Sequence, residues 1–224
     1  MKPNDSKILH QRKEDLAKRL ERKQWPEQEK SLLKAQNIHY EMAEKVRAID
    51  CGGIGAFHLL ACNSGLVEAL NDKVHLLKKH LPYHESDHVL NLAYNTLVGG
   101  TCLEDIELRR NDEAFMDGLG AARIPDPTPA GDFRRRFAAG DVVELMEAIN
   151  SVRLKLWKKC LPRREREEAI LEVDGTHAPT WGECKEGIGL SYDGIWSYHP
   201  LLISLANTAE PLYWVNRSGN CVSH

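Results

Sequence analysis

Through most of the first 160 residues, apolar positions recur at the helical period; beyond that they become short apolar runs cut by turn residues. Ile38, Met42, Val46 and Ile49 fall on one helical face, and Gly52 and Gly53 of C-G-G-I-G-A end that helix. Short helices are expected around Leu66–Leu70 and Val74–Leu81, and a longer one from about His84 to Leu97, stopped by Gly99-Gly100. A further strong helix begins at Asp141. Asp141 and Glu144 form a D-x-x-E capping box, and Val142, Leu145, Met146, Ile149, Val152 and Leu156 form its buried stripe. Between these helices, R-I-P-D-P-T-P-A-G-D-F-R-R-R-F predicts an extended lead-in and a short helix. Thr128 caps it, Pro129 takes the first helical position, and Phe133 and Phe137 anchor it one turn apart. Arg134, Arg135 and Arg136 then fan over its exposed side, where they can lie along a DNA backbone or form an ordinary solvated face.

The ends of the chain have a different character. The stretch to about Lys34 is rich in charged residues, Leu9, Leu16, Leu20 and Trp25 are too sparse for a strong helical face and Pro26 interrupts, so it reads as a charged arm, either a fraying helix or flexible. After Pro162, Arg163–Glu168 is a charged linker, and Ala169–Val173 is an apolar run that leads into Asp174-Gly175-Thr176. Tyr198–Ala206 reads as a buried strand, Asn207–Pro211 as a turn and Leu212–Val215 as the returning strand. The expected fold class is therefore α+β. It divides into an arm (1–34), a helical, DNA-engaging region (35–160), a linker (161–168) and a strand-rich end (169–224).

Composition narrows the class of protein. At 42% hydrophobic and 28% charged residues over 224 positions, the chain is ordinary for a soluble globular protein with a sizeable core. A net charge of −3 excludes a grossly basic nucleic-acid binder, so a nucleic-acid partner must be met by a local basic patch. There is no apolar run near the ~20 residues of a membrane span, and M-K-P-N-D-S-K is no signal peptide, so a cytoplasmic protein is expected. Cys51, Cys62, Cys102, Cys160, Cys184 and Cys221 form no C-x-x-C pair, and are read as reduced thiols packed as small hydrophobes.

Two segments hold candidate chemistry. In H-L-P-Y-H-E-S-D-H, His80, His84 and His88 recur every fourth residue beside Glu85 and Asp87. Such spacing can hold zinc, although Pro82 interrupts a helix through His80, and capping with core hydrogen bonding is the competing reading. In L-E-V-D-G-T, Asp174 stands at the end of an expected buried strand before a Gly-Thr turn, where a carboxylate can meet a metal ion or a phosphate. The motif is close to the D-x-D-G-T of haloacid-dehalogenase-like phosphatases, but Glu172 stands where their nucleophilic aspartate would be.

A longer likeness covers the chain from about Trp25 onward. I-D-C-G-G-I-G-A, H-L-P-Y-H-E-S-D-H-V-L-N-L-A-Y-N, C-L-E-D-I-E-L-R-R-N-D-E, R-I-P-D-P-T-P-A-G-D-F, V-D-G-T-H-A-P-T, G-E-C-K-E-G, W-S-Y-H-P-L-L-I-S-L-A-N-T and E-P-L-Y-W-V-N-R-S-G-N together resemble the front part of bacterial insertion-sequence transposases of the DDE group. The resemblance implies that the strand-rich end begins a ribonuclease-H-like catalytic fold, with Asp174 as first acid of the catalytic triad and a ligand of Mg2+ or Mn2+. It further implies DNA (the terminal inverted repeats of the element) and a second copy of the chain as partners, with a nucleoid-associated place in the cytoplasm. Arg123, Arg134, Arg135, Arg136, Lys185, His199 and Arg217 are the expected DNA contacts, with Tyr198 near the same site. The chain stops at His224 before the block where the relatives carry their other two acids. The expectation is a truncated transposase, inactive alone, with a non-catalytic DNA-binding remnant that competes for element ends as the alternative.

Overall fold

The computed structural model describes residues 29–34, 51–182 and 184–222, with residues 7, 10–15 and 18 near the start. The helix expected over Ile38–Ile49 lies outside the described residues. Among those described, helices α1 (Ile54–Asn63), α2 (Leu66–Lys73), α3 (Glu85–Leu97), α4 (Ile106–Arg110), α5 (Glu113–Gly118), α6 (Pro127–Arg135) and α7 (Ala139–Cys160) precede strands β1 (Leu171–Gly175), β2 (Ala178–Pro179), β3 (Gly189–Leu190), β4 (Trp196–Tyr198), β5 (Leu201–Leu205) and β6 (Glu210–Val215). The chain is thus α+β. It forms two compact units, 1–149 and 150–224, which divide inside α7; the sequence had suggested a linker at 161–168. Among the described residues no helix is long and apolar enough to cross a membrane.

In the first unit, α3 packs against α2, α4 and α6. Leu90 and Tyr94 of α3 join Ile54, Leu70, Ile106, Phe115, Met116, Leu119 and Ile124 in the core. The rest of its buried surface is polar: Glu85, Ser86, Asp87, His88, Asn91 and Asn95 are all buried. Such a face is tolerable only when its groups find partners. Asn91 Nδ2 donates to the Pro125 carbonyl (3.0 Å), Asn95 Nδ2 to that of Cys102 (2.9 Å), and the Tyr94 hydroxyl meets His58 Nδ1 at 2.9 Å.

Residues 31–34, at the end of the segment read as an arm, are fastened to this unit. Leu32 and Leu33 N–H donate to the Asp87 carboxylate (both 3.1 Å), and Lys34 N–H donates to the Leu119 carbonyl (2.9 Å). Ser31 Oγ meets Ser86 Oγ at 2.7 Å and accepts from Asn71 Nδ2 at 2.8 Å. Gly120, at φ +62°, lets the Lys34 carbonyl approach so closely that a Cβ there would collide with it.

Several local expectations are corrected. No helix forms over Val74–Leu81, because Leu76 and Leu77 N–H donate to the Glu85 carboxylate (3.1 and 2.9 Å) rather than to helical carbonyls. Helix α6 starts earlier than Thr128-Pro129 would place it: Asp126 is the cap, accepting from Thr128 N–H at 3.1 Å, and Pro127 is the first helical residue. Helix α7 starts at Ala139, and Asp141 reaches back to accept from Ala138 N–H at 2.7 Å. Its buried line runs through Leu145, Ala148 and Val152, whereas Val142 and Leu156 are exposed. All six cysteines are free. Cys51 and Cys62 are half-buried, but the other four are exposed, so packing as small hydrophobes holds for the first two alone.

In the second unit, the first sheet has the order β1-β5-β6 and the other β2-β4-β3, with every pairing antiparallel. The stretch expected as a single strand over Tyr198–Ala206 is divided: β4 ends at Tyr198 in one sheet and β5 starts at Leu201 in the other. The end of α7 is fastened to β6 by Asn150 Nδ2 donating to the Leu212 carbonyl (2.9 Å) and Trp157 Nε1 donating to Glu210 Oε2 (2.7 Å). Strand β1, expected to be buried, is exposed: Leu171 is 57% and Val173 56% accessible. It pairs with β5 on one side, and among the described residues its other edge has no strand beside it.

Candidate functional site

An open groove of about 1160 Å3 runs between the 74–83 loop and α6. His75, Lys78 and Lys79 line one wall and Arg136 the other, with His88 and Phe133 also lining it. Arg134, Arg135 and Arg136 are exposed, as expected. Arg135 pairs with Asp132 at 2.7 Å, and Arg136 Nη1 reaches the Leu76 carbonyl at 3.4 Å, which ties α6 to the loop. Arg123 is half-buried, with its guanidinium 5.4 Å above the Tyr83 ring, and the Tyr83 hydroxyl donates to the Ile124 carbonyl at 2.9 Å.

His88 does not join His80 and His84. It is 5% exposed and stacks on Phe133 with ring centroids 4.5 Å apart. Burial, and then the neighbouring Arg136 guanidinium, push its imidazole down to about 4, against an opposing pull from Glu85. Between pH 6.5 and about 4 the unfolded chain therefore takes up a proton that the folded chain refuses. Stability should fall with pH across that window by on the order of 3 kcal/mol, and buried His58, also shifted down, acts in the same sense. Urea denaturation at pH 7 and pH 4.5 checks this. His88→Phe, which keeps a ring against Phe133, should lose much less on acidification; equal losses in both proteins would reject the assignment.

Glu85 takes the place expected of His88. Its Oε2 lies 3.1 Å from His80 Nε2, and the His80 and His84 rings stack at 4.1 Å and 6°. One ligand atom from each of the three residues lies within 4.8 Å of the others.

In the second unit, Asp174 is exposed near the end of β1, opposite Leu202 of β5, and its Oδ1 accepts from Gly175 N–H at 2.8 Å. Behind it, a Cβ on Gly175 would come within 2.6 Å of His199 Nε2 and 3.0 Å of Arg217 Nη2, so a glycine lets the strand pack closely against these two side chains. His199 is buried. Its Nδ1 donates to the Cys221 carbonyl (2.9 Å) and its ring stacks on His177 at 4.5 Å. Arg217 donates from Nε to the His199 carbonyl (3.1 Å) and from Nη1 to that of Val222 (3.2 Å), while buried Nη2 has no hydrogen-bond partner among the described residues. Two other expected residues turn elsewhere: Lys185 Nζ bonds Thr180 Oγ1, and the Tyr198 hydroxyl donates to the Glu186 carbonyl at 2.8 Å. Among the described residues, the only metal-type cluster of three is His80, His84 and Glu85, so no further acid, histidine or cysteine completes an ion cage at Asp174.

Comparison of the chain with protein-family models, with curated proteins and with solved structures finds no match in any of the three. Sequence reasoning passed over Lys78, Lys79 and His177. The Lys78-Lys79 pair was visible, but its place on a groove wall depends on Glu85 capturing the loop.

Proposed function

We propose that this chain acts in DNA transposition as a DDE-type transposase. The observation that supports this most is the tip of β1, where the Asp174 carboxylate precedes a glycine packed against His199 and Arg217. An exposed carboxylate at a strand tip stands where an acid can meet a phosphodiester, and His199 and Arg217 brace that tip from the side of the following glycine. The antiparallel order β1-β5-β6 and the eight sequence blocks of the resemblance agree with the same reading.

In this reading, the walls of the groove in the first unit contact DNA phosphates through Lys78, Lys79 and Arg136, and exposed Arg134 on α6 adds a contact outside the groove, with Arg135 contributing less because Asp132 already engages it. His199 and Arg217 hold the strand end from within, His199 through the Cys221 carbonyl and Arg217 through those of His199 and Val222. The residues around Asp174 do not by themselves fit a pair of Mg2+ or Mn2+ ions, since one carboxylate cannot bridge and enclose both. That observation favours a second reading for the 224 residues acting alone: they bind element ends, as one copy or several, without cutting them.

The test uses the purified chain and duplexes carrying the inverted repeats that flank its gene. Fluorescence anisotropy over a salt series should show preferential binding to those ends. Replacing Arg134, Arg135 and Arg136 with alanine should weaken binding about tenfold or more and reduce the salt slope by about 2. Absence of binding, or an unchanged slope, removes α6 from the interface. Nicking in added Mn2+ that disappears in Asp174→Ala favours the catalytic reading, and binding without nicking favours the competitor.

A further inference from the structure

We infer that His80, His84 and Glu85 form a binding site for one divalent transition-metal ion of the zinc class, which fastens the 74–84 loop to the start of α3. Two imidazole nitrogens and a carboxylate oxygen are a donor set that suits zinc and its neighbours; magnesium and calcium call for oxygen donors. Donors sharing a tetrahedral zinc ion lie roughly 3.3–3.5 Å apart, given metal–ligand distances of about 2.0–2.1 Å. The His80–Glu85 pair, at 3.1 Å, is already near that spacing, and all three ligand atoms fall within 4.8 Å. Closing the set requires the stacked His80 and His84 rings to tilt towards each other, so that an in-plane lone pair of each points at the ion while Glu85 stays in place.

The carboxylate is aimed in advance. Glu85 is 2% exposed, and its Oε1 accepts from Leu76 and Leu77 N–H, which leaves Oε2 directed at His80. Outer hydrogen bonds of this kind fix the orientation of metal ligands. The backbone N–H of His84 donates to Asp87 Oδ2 at 2.8 Å, which fixes the residue at the helix start. The His80 side chain is 34% exposed, so an ion has a path from solvent to two buried donors. Three protein ligands leave the fourth position of a tetrahedral ion to water. The same three residues without an ion would form a plain His80–Glu85 ion pair, and the experiment separates the two.

The full chain, stripped with EDTA and with its exposed thiols alkylated so that cysteines do not compete, is titrated with Zn2+ against a chromophoric chelator. One equivalent should bind with micromolar or tighter affinity and raise the melting temperature, and millimolar Mg2+ should not displace it. Co2+ should give visible d–d bands of a nitrogen–oxygen site with no thiolate charge-transfer band. His80→Gln, at a partly exposed position, should weaken binding at least ~100-fold with an unchanged far-UV spectrum. Glu85→Gln should do the same if it folds. Absence of saturable Zn2+ binding in the alkylated chain, or binding undiminished in His80→Gln, overturns the site in favour of the ion pair.

Discussion

Replacing Asp87 with alanine should destabilise the helical unit by about 3–5 kcal/mol, read from urea denaturation followed by circular dichroism. The residue is fully buried, and its two oxygens accept from the backbone N–H groups of Leu32, Leu33 and His84 at 3.1, 3.1 and 2.8 Å. Alanine strands all three donors, uncaps α3 and detaches the 31–34 segment in one step. Burial pushes the Asp87 carboxyl above its ordinary range despite these donors, so holding the charge inside is itself costly. Releasing that cost keeps the net loss below the sum of three charge-assisted bonds. Asp87→Asn should be nearly as damaging, because its amide nitrogen must face at least one N–H donor. A loss under about 1 kcal/mol in both variants would show that these bonds are exchanged for water without penalty.

Phe133→Ala should cost a similar amount, about 3–5 kcal/mol. The ring is 1% exposed, stacked on His88 and met edge-on by Phe137 at 5.4 Å. Its removal leaves a cavity between α6 and α3 that the neighbouring rings cannot fill without leaving their stacked geometry. Phe133→Leu, which retains most of the volume, should cost closer to 1–1.5 kcal/mol. The ratio of the two losses, measured by the same denaturation, tests packing against a generic loss of hydrophobicity. Equal losses would remove the cavity argument.

Both residues stood in motifs quoted from the sequence, yet their roles were unequally legible. Phe133 read as an anchor because it repeats one turn from Phe137, a local signal. Asp87 read as one acid among histidines because its partners at Leu32 and Leu33 are more than fifty residues away. The same distinction explains the rest. Helix α3 was visible from its period and its Gly99-Gly100 stop. The pattern over Val74–Leu81 reads as helix, but the conformation there is imposed by Glu85, a tertiary capture that propensity does not register. In α7 the small Ala148 carries the buried line, so a stripe drawn through larger side chains extended too far at both ends. Strands of two residues, such as β2 and β3, are too short for any alternation to develop. At the second unit, Asp174 at a strand end was legible, with His199 and Arg217 named only as contacts that the resemblance implies. The fit of Gly175 against them was not, because it depends on β6 returning beside β5.

The one-sided pairing of β1 bears on how the second unit is handled once denatured. A strand with Leu171 and Val173 in solvent and a bare rail of amides can accept another chain as readily as it accepts β5. Recovery from denaturant is then a race between closing a loop of some twenty-five residues within one molecule and meeting a neighbour. The outcome of that race depends on dilution.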